Sequence, residues 1–187
     1  MKRIIYIPFD HLHRKFGALK DADPKTDVIA FVESARMTTG RNWHPERLFF
    51  LISSARHFAK SLEDEGFTVE YVKAATTVDG LKTIQKKHKD LPITCAEPSS
   101  FSQFDQLKAF GVNFVANDFF LTPRDLFTQW AEGQKSYLME NFYRAQRIRL
   151  GIMVEGNKPT GGAWNFDKEN RLPPPKKYEG PKYLEHK

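Results

Sequence analysis

The sequence predicts an α/β fold: a Rossmann-like five-stranded parallel sheet with helices on both faces, followed by C-terminal helices and an irregular tail. Three observations lead there. Short apolar runs alternate with segments of helical periodicity through the first 116 residues, the pattern of strands joined by helical crossovers. Of the 187 residues, 40% are hydrophobic and 13% aromatic, enough to build a packed core. After Leu150 the periodicity stops, and glycine, proline and charge take over.

The elements follow in order. Lys2 to Ile7 reads as a central strand that Pro8 ends. Residues 9–26 are polar and irregular, with Asp21-Ala22-Asp23-Pro24 as a turn signal. Asp27 to Glu33 is the second strand, and Ser34 to Trp43 is a loop of the kind that faces a ligand. His44-Pro45 opens the first long helix, because proline suits the first helical position. Leu48, Leu51, Ile52, Ala55, Ala59 and Leu62 recur there at helical spacing, and Gly66 stands at the C-cap. Thr68 to Val72 is the third strand, Asp79 to Lys89 a basic helix with Leu81 and Ile84 inward, and Pro92 to Ala96 the fourth strand. Phe101 to Phe110 is a helix with Phe104, Leu107 and Ala109 inward, and Val112 to Ala116 is the fifth strand. Thr122-Pro123-Arg124-Asp125 starts a helix that runs to Glu132, and another spans Ser136 to Leu150. The expected division is a Rossmann-like domain over 1–150 and an irregular segment with a Pro-rich tail over 151–187.

Composition excludes several function classes. Cys95 is the one cysteine, so an intrachain disulfide and a cysteine-based zinc or iron–sulfur site are ruled out. Its apolar neighbours make it a small buried hydrophobe, in keeping with a reducing compartment. The apolar run after Met1 is too short for a signal peptide, and none is long enough to span a membrane, so the expectation is a cytoplasmic protein. The formal charge of +6 suits a polyanion but is also common in proteins that bind none. No glycine-rich phosphate loop follows the first strand. His11 and His13 lack a third metal ligand nearby, Ser53-Ser54 has no base–acid pair, and Arg56-His57 reads first as packing within its helix.

In parallel sheets ligands sit outside the carboxyl ends of the strands, which places Phe9, Asp10, His11 and Glu33 in the expected position. Two further segments stand out. Tyr137, Phe142 and Tyr143 lie beside Arg144, Arg147 and Arg149, a mixture that suits either base stacking with phosphate contact or an ordinary helix with one aromatic and one basic face. Pro159 to Arg171 is dense in Trp, Asn, Asp and Arg without periodicity, so it fixes a turn or docks on a surface rather than building a core.

That last segment, with Gly161-Gly162-Ala163-Trp164-Asn165-Phe166-Asp167, resembles a signature of the photolyase-related flavoproteins, the iron–sulfur bacterial cryptochromes and (6-4) photolyases. So do Arg56-His57-Phe58 and Lys135-Ser136-Tyr137-Leu138-Met139-Glu140-Asn141-Phe142-Tyr143-Arg144, and the likeness runs from the first strand to about Pro175. The resemblance implies an N-terminal domain that holds an antenna chromophore, typically 6,7-dimethyl-8-ribityllumazine, and passes excitation to FAD in a helical domain carrying an iron–sulfur cluster. It implies a pocket lined by Phe9, Asp10, His11, Glu33, Met37, His44 and Leu51, of which Asp10, Glu33 and His44 follow the family pattern. Phe9 stands where the family has a small glycine, and His11 replaces a glutamine-like residue. FAD and the cluster are not expected in this chain, which alone is then not repair-competent. A helical FAD-binding partner and weak DNA binding are the implied partners. The other class of reading is a non-catalytic module that binds nucleic acid or protein, marked by a steep salt dependence.

Overall fold

Five strands lie side by side, all parallel, in the order β3-β2-β1-β4-β5. They are β1 (Arg3–Tyr6), β2 (Asp27–Ser34), β3 (Thr68–Ala74), β4 (Ile93–Ala96) and β5 (Asn113–Val115). These come from a computed structural model that describes residues 2–40, 42–167 and 173–180. Helices α2 (Pro45–Asp64), α3 (Thr77–Lys87) and α4 (Phe101–Ala109) make the later crossovers. The fold is the Rossmann-like α/β sheet that the alternation predicts.

Alternate residues of β2 serve two cores, as the strand period requires. Val28, Ala30 and Val32 join Ile4, Tyr6, Leu81, Ile84 and Leu107, so α3 and α4 cover that face. Ile29 and Phe31 join Ile5, Ile7, Phe9, Leu19, Ala55 and Leu62 under α2. A strand buried on both faces is why the sequence here is a continuous apolar run. Cys95 is fully buried in the first of these cores, and burial raises its thiol pKa far above the ordinary range, with the charge of Asp10 adding to the effect.

The β1–β2 connection carries no α-helix. Only a 3-10 turn, Gly17–Leu19, packs its buried residues onto the sheet. Within the expected loop after β2, a short helix α1 (Ala35–Thr39) forms because Ser34 Oγ accepts from the Met37 amide at 3.2 Å. Ala109 is exposed rather than inward. Two residues along a helix from the buried Leu107, it points to the opposite side. Among the described residues no helix is long and apolar enough to cross a membrane.

The described residues divide into two compact units, one ending at Leu126 and one starting at Phe127. Helix α5 (Arg124–Glu132) runs across that division, and α6 (Met139–Leu150) starts three residues later than the expected Ser136 because Leu138 is extended. In the second unit Phe127, Trp130 and Phe142 pack together in tilted and edge-on contacts, with centroids 4.9–5.9 Å apart. Gly151, left-handed at φ 66°, ends α6. The irregular segment then begins with a hairpin, β6 (Val154–Glu155) and β7 (Lys158–Pro159). Lys168 to Leu172, which include the end of the segment that carries the resemblance, and the tail from Pro181 lie outside the described residues.

Gly80 shows how closely α3 sits on the sheet. A Cβ there would come within 2.5 Å of Val32 Cγ1. In an open helix Gly→Ala gains about 1 kcal/mol. Here the clash outweighs that gain, and Gly80→Ala is expected to lower stability by about 1–3 kcal/mol in urea denaturation. Adding Val32→Ala should return part of that loss.

Candidate functional site

The carboxyl end of the sheet gathers the polar groups. The chain leaves β1 toward β2 and β3 on one side and later builds β4 and β5 on the other, so the switch point lies between β1 and β4. Two separate places result, one beside β2 and α2, the other over the β1–β4 gap.

Glu33, the penultimate residue of β2, is the centre of the first. Its side chain is 10% exposed. Arg56 of α2 grips it with Nη2 at 2.8 and 3.0 Å and Nε at 3.2 Å. The Tyr71 hydroxyl donates to Oε2 at 2.9 Å, and Lys73 Nζ lies 3.6 Å from Oε1. The parallel register makes this meeting: Glu33 pairs with Lys73 and Phe31 with Tyr71, so Tyr71 faces the same side as Glu33. Burial raises the Glu33 carboxyl, but hydrogen bonds from Arg56 and Tyr71 outweigh it and hold the group below its ordinary value. Burial and then the adjacent carboxylate push the Tyr71 phenol up to about 12.

Arg56 also lines an open groove of about 530 Å³ along α2, with Phe49, Ile52, Ser53 and His57. Phe49, Ile52 and Arg56 recur at helical spacing and so form one stripe.

The seven residues expected at the pocket part company. Phe9 is buried in the core below, its ring 6.3 Å from Tyr71, and Met37 packs against the same core. The Met37 carbonyl accepts from Trp43 Nε1 at 2.8 Å. Leu51 is half-buried on α2, His44 is the exposed N-cap of that helix, and Asp10 is exposed. His11 goes elsewhere. It stacks on Phe119 with centroids 4.7 Å apart, over the β1–β4 gap. Phe9, Glu33 and Met37 thus share one core and its rim, and His11 belongs to the other place. Burial lowers the His11 pKa, partly offset by Asp10. Among the described residues no three His, Cys, Asp or Glu side chains converge on a metal position.

Sequence reasoning did not assign Arg56 or Tyr71 to the site. They lie 23 and 38 residues from Glu33, and only strand register and helix placement join them. Asp118 and Phe119 were missed for the same reason, since they follow β5 and fold back.

In the second unit α6 departs from the expected split into an aromatic and a solvated basic face, for its buried residue is Arg147 while Tyr143 is exposed. Arg147 is 6% exposed. It donates to the carbonyls of Ile152 at 3.3 Å, Trp164 at 3.4 Å and Met153. Its guanidinium lies between the rings of Tyr143 and Trp164, at 5.4 and 5.1 Å. Arg144 pairs with Glu140 and lies over Trp164. The segment around Trp164 therefore docks on α6, and Arg147 serves that docking.

The lowered carboxyl of Glu33 gives a pH prediction. A depressed folded value means that its contribution is present above the ordinary carboxylate pKa and is lost as pH falls through the folded one. Because Arg56 is exposed, Glu33→Gln should cost only about 1 kcal/mol near neutral pH. In urea titrations the gap between the two proteins should close as pH falls below the ordinary carboxylate range.

Comparison with known proteins identifies the family. The family described as deoxyribodipyrimidine photo-lyase-related protein matches residues 5–187. The chain is 34% identical over 185 residues to the (6-4) photolyase of Agrobacterium fabrum, covering 92% of this chain and 36% of that protein. It is 24% identical over 142 residues to the uncharacterized protein R852 of Acanthamoeba polyphaga mimivirus, covering 70% of this chain and 72% of that one. The match across residues 5–187 makes this chain a member of the deoxyribodipyrimidine photo-lyase-related protein family.

Proposed function

We propose that these residues form the antenna-chromophore-binding portion of a photolyase-related protein, with a ring such as 6,7-dimethyl-8-ribityllumazine held beside Glu33 and α2. The observation that carries the reading is the groove of about 530 Å³ whose wall includes Arg56, the clamp of Glu33. That volume is within the range of small-molecule sites. It joins apolar walls at Phe49 and Ile52 with polar groups at Ser53, Arg56 and His57, a mixture that suits a flat ring with a polyhydroxyl chain.

Phe9 is compatible with this reading. Its ring is buried against Tyr71 in the core and does not line the groove, so the bulk in place of glycine is taken up below the site.

The roles of the residues follow from chemistry. Ile52 and Phe49 exclude water from one face of the ring. Arg56, fixed by the Glu33 carboxylate, presents its remaining donor capacity at a constant angle. Ser53 and His57 meet hydroxyls of the chain. A bound lumazine supplies absorption in the near ultraviolet and blue and passes the excitation on. In this reading a four-cysteine iron–sulfur cluster is held outside these residues, because Cys95 alone cannot supply four thiolates. DNA repair then belongs to the larger assembly, as the 36% coverage of the photolyase suggests.

The test is titration of the protein with 6,7-dimethyl-8-ribityllumazine, followed by fluorescence anisotropy. Saturable binding is expected. Ser53→Trp, which fills the groove from a half-buried position, should weaken it by about tenfold or more while the circular dichroism is unchanged. A folded protein that leaves lumazine free at millimolar concentration refutes the antenna reading.

A further inference from the structure

At the switch point the chain fills its own crevice. β1 runs into Pro8 and the loop to Leu19, β4 runs into Glu97, and the segment after β5 folds back across the gap. Two adjacent side chains of that segment occupy it. Phe119 lies ring on ring with His11, planes at 19°, and Phe16 meets Phe119 edge-on at 5.6 Å. Asp118 accepts from the Gly17 amide and from Lys20 Nζ, the latter at 3.2 Å. Asn117 fixes the start of the segment by donating to the Glu97 carbonyl at 2.7 Å. The space left is about 10 Å³, room for one water at most.

Three features of this filling point past simple packing. First, its position is where sheets of this topology receive ligands. Second, the groups that receive Asp118 form a seat for negative charge. Burial raises its carboxyl, yet the Gly17 amide and Lys20 hold it below the ordinary value. Gly17 is essential to that seat, since a Cβ there would meet Ala96 Cβ at 2.9 Å. Third, His11 is 5% exposed and its Nδ1 has no hydrogen-bond partner. Buried and unpaired, that nitrogen is a polar group that the present filling leaves unsatisfied.

We infer that the crevice between β1 and β4 is a binding site for a planar heterocycle carrying an anionic group, of the size of a nucleoside monophosphate, and that Asp118 and Phe119 are its built-in competitor. The heterocycle takes the place of the Phe119 ring on His11. The anion takes the place of the Asp118 carboxylate on the Gly17 amide and Lys20. This site is separate from the α2 groove and does not rest on the antenna reading. An internal competitor weakens the apparent affinity by the fraction of time the crevice is open, so removing the competitor is the informative change.

The experiment is calorimetric titration of the whole chain with adenosine 5′-monophosphate. Phe119→Ala is expected to bind it at least about tenfold more tightly than the parent. In that background Lys20→Met should reverse the gain, and adenosine or inorganic phosphate alone should bind at least about tenfold more weakly than the nucleotide. Glu33→Gln in the same background should leave the affinity unchanged, which separates this site from the groove. Phe119→Leu keeps the apolar volume without the flat face and takes the same test should Phe119→Ala not fold. A folded variant that binds no more tightly than the parent overturns the inference, as does a gain indifferent to Lys20→Met or equalled by phosphate alone.

Discussion

Burial of the central strands on both faces is the constraint from which the rest follows. β1 and β2 have helices or the packed 8–19 connection on either side, so their inner residues must be apolar in both directions. Polar chemistry is then confined to the ends of the strands. Glu33 illustrates this, for it comes one residue before the end of β2 and already needs Arg56, Tyr71 and Lys73 to offset its partial burial. One residue pair earlier, at Phe31 and Tyr71, the same face is a ring stack at 5.9 Å.

The missing helix between β1 and β2 shapes both places at the carboxyl end. A regular helix would carry the chain away from the sheet. The irregular connection instead keeps Phe9 in the α2-side core, turns at Asp10, and sends His11 over β4. Neighbouring residues thus serve opposite sides of one strand.

The sheet was legible in the sequence because each strand is a local apolar run and each long helix has its own period and punctuation. His44-Pro45 and Gly66 bracket α2 through capping chemistry that acts within a few residues. Glu33 was legible as a charge at a strand end. Its partners were not, because Arg56 and Tyr71 reach it through register and helix packing, which leave no local pattern. The pairing of His11 with Phe119 spans most of the first unit and is set by how the segment after β5 turns back. Ala109 was misplaced because a short apolar residue beside a buried leucine does not reveal which way a brief helix is rotated.

The clasp made by Arg147 has an evolutionary consequence. Its hydrogen bonds in the second unit go to the main-chain carbonyls of Ile152, Met153 and Trp164. Main-chain acceptors are the same whatever residue bears them. Side chains at 152 and 153 are therefore free to drift without loosening the attachment. Arg147 and the two rings that flank it are not, because no other side chain offers a flat cation with several donors fixed in one plane.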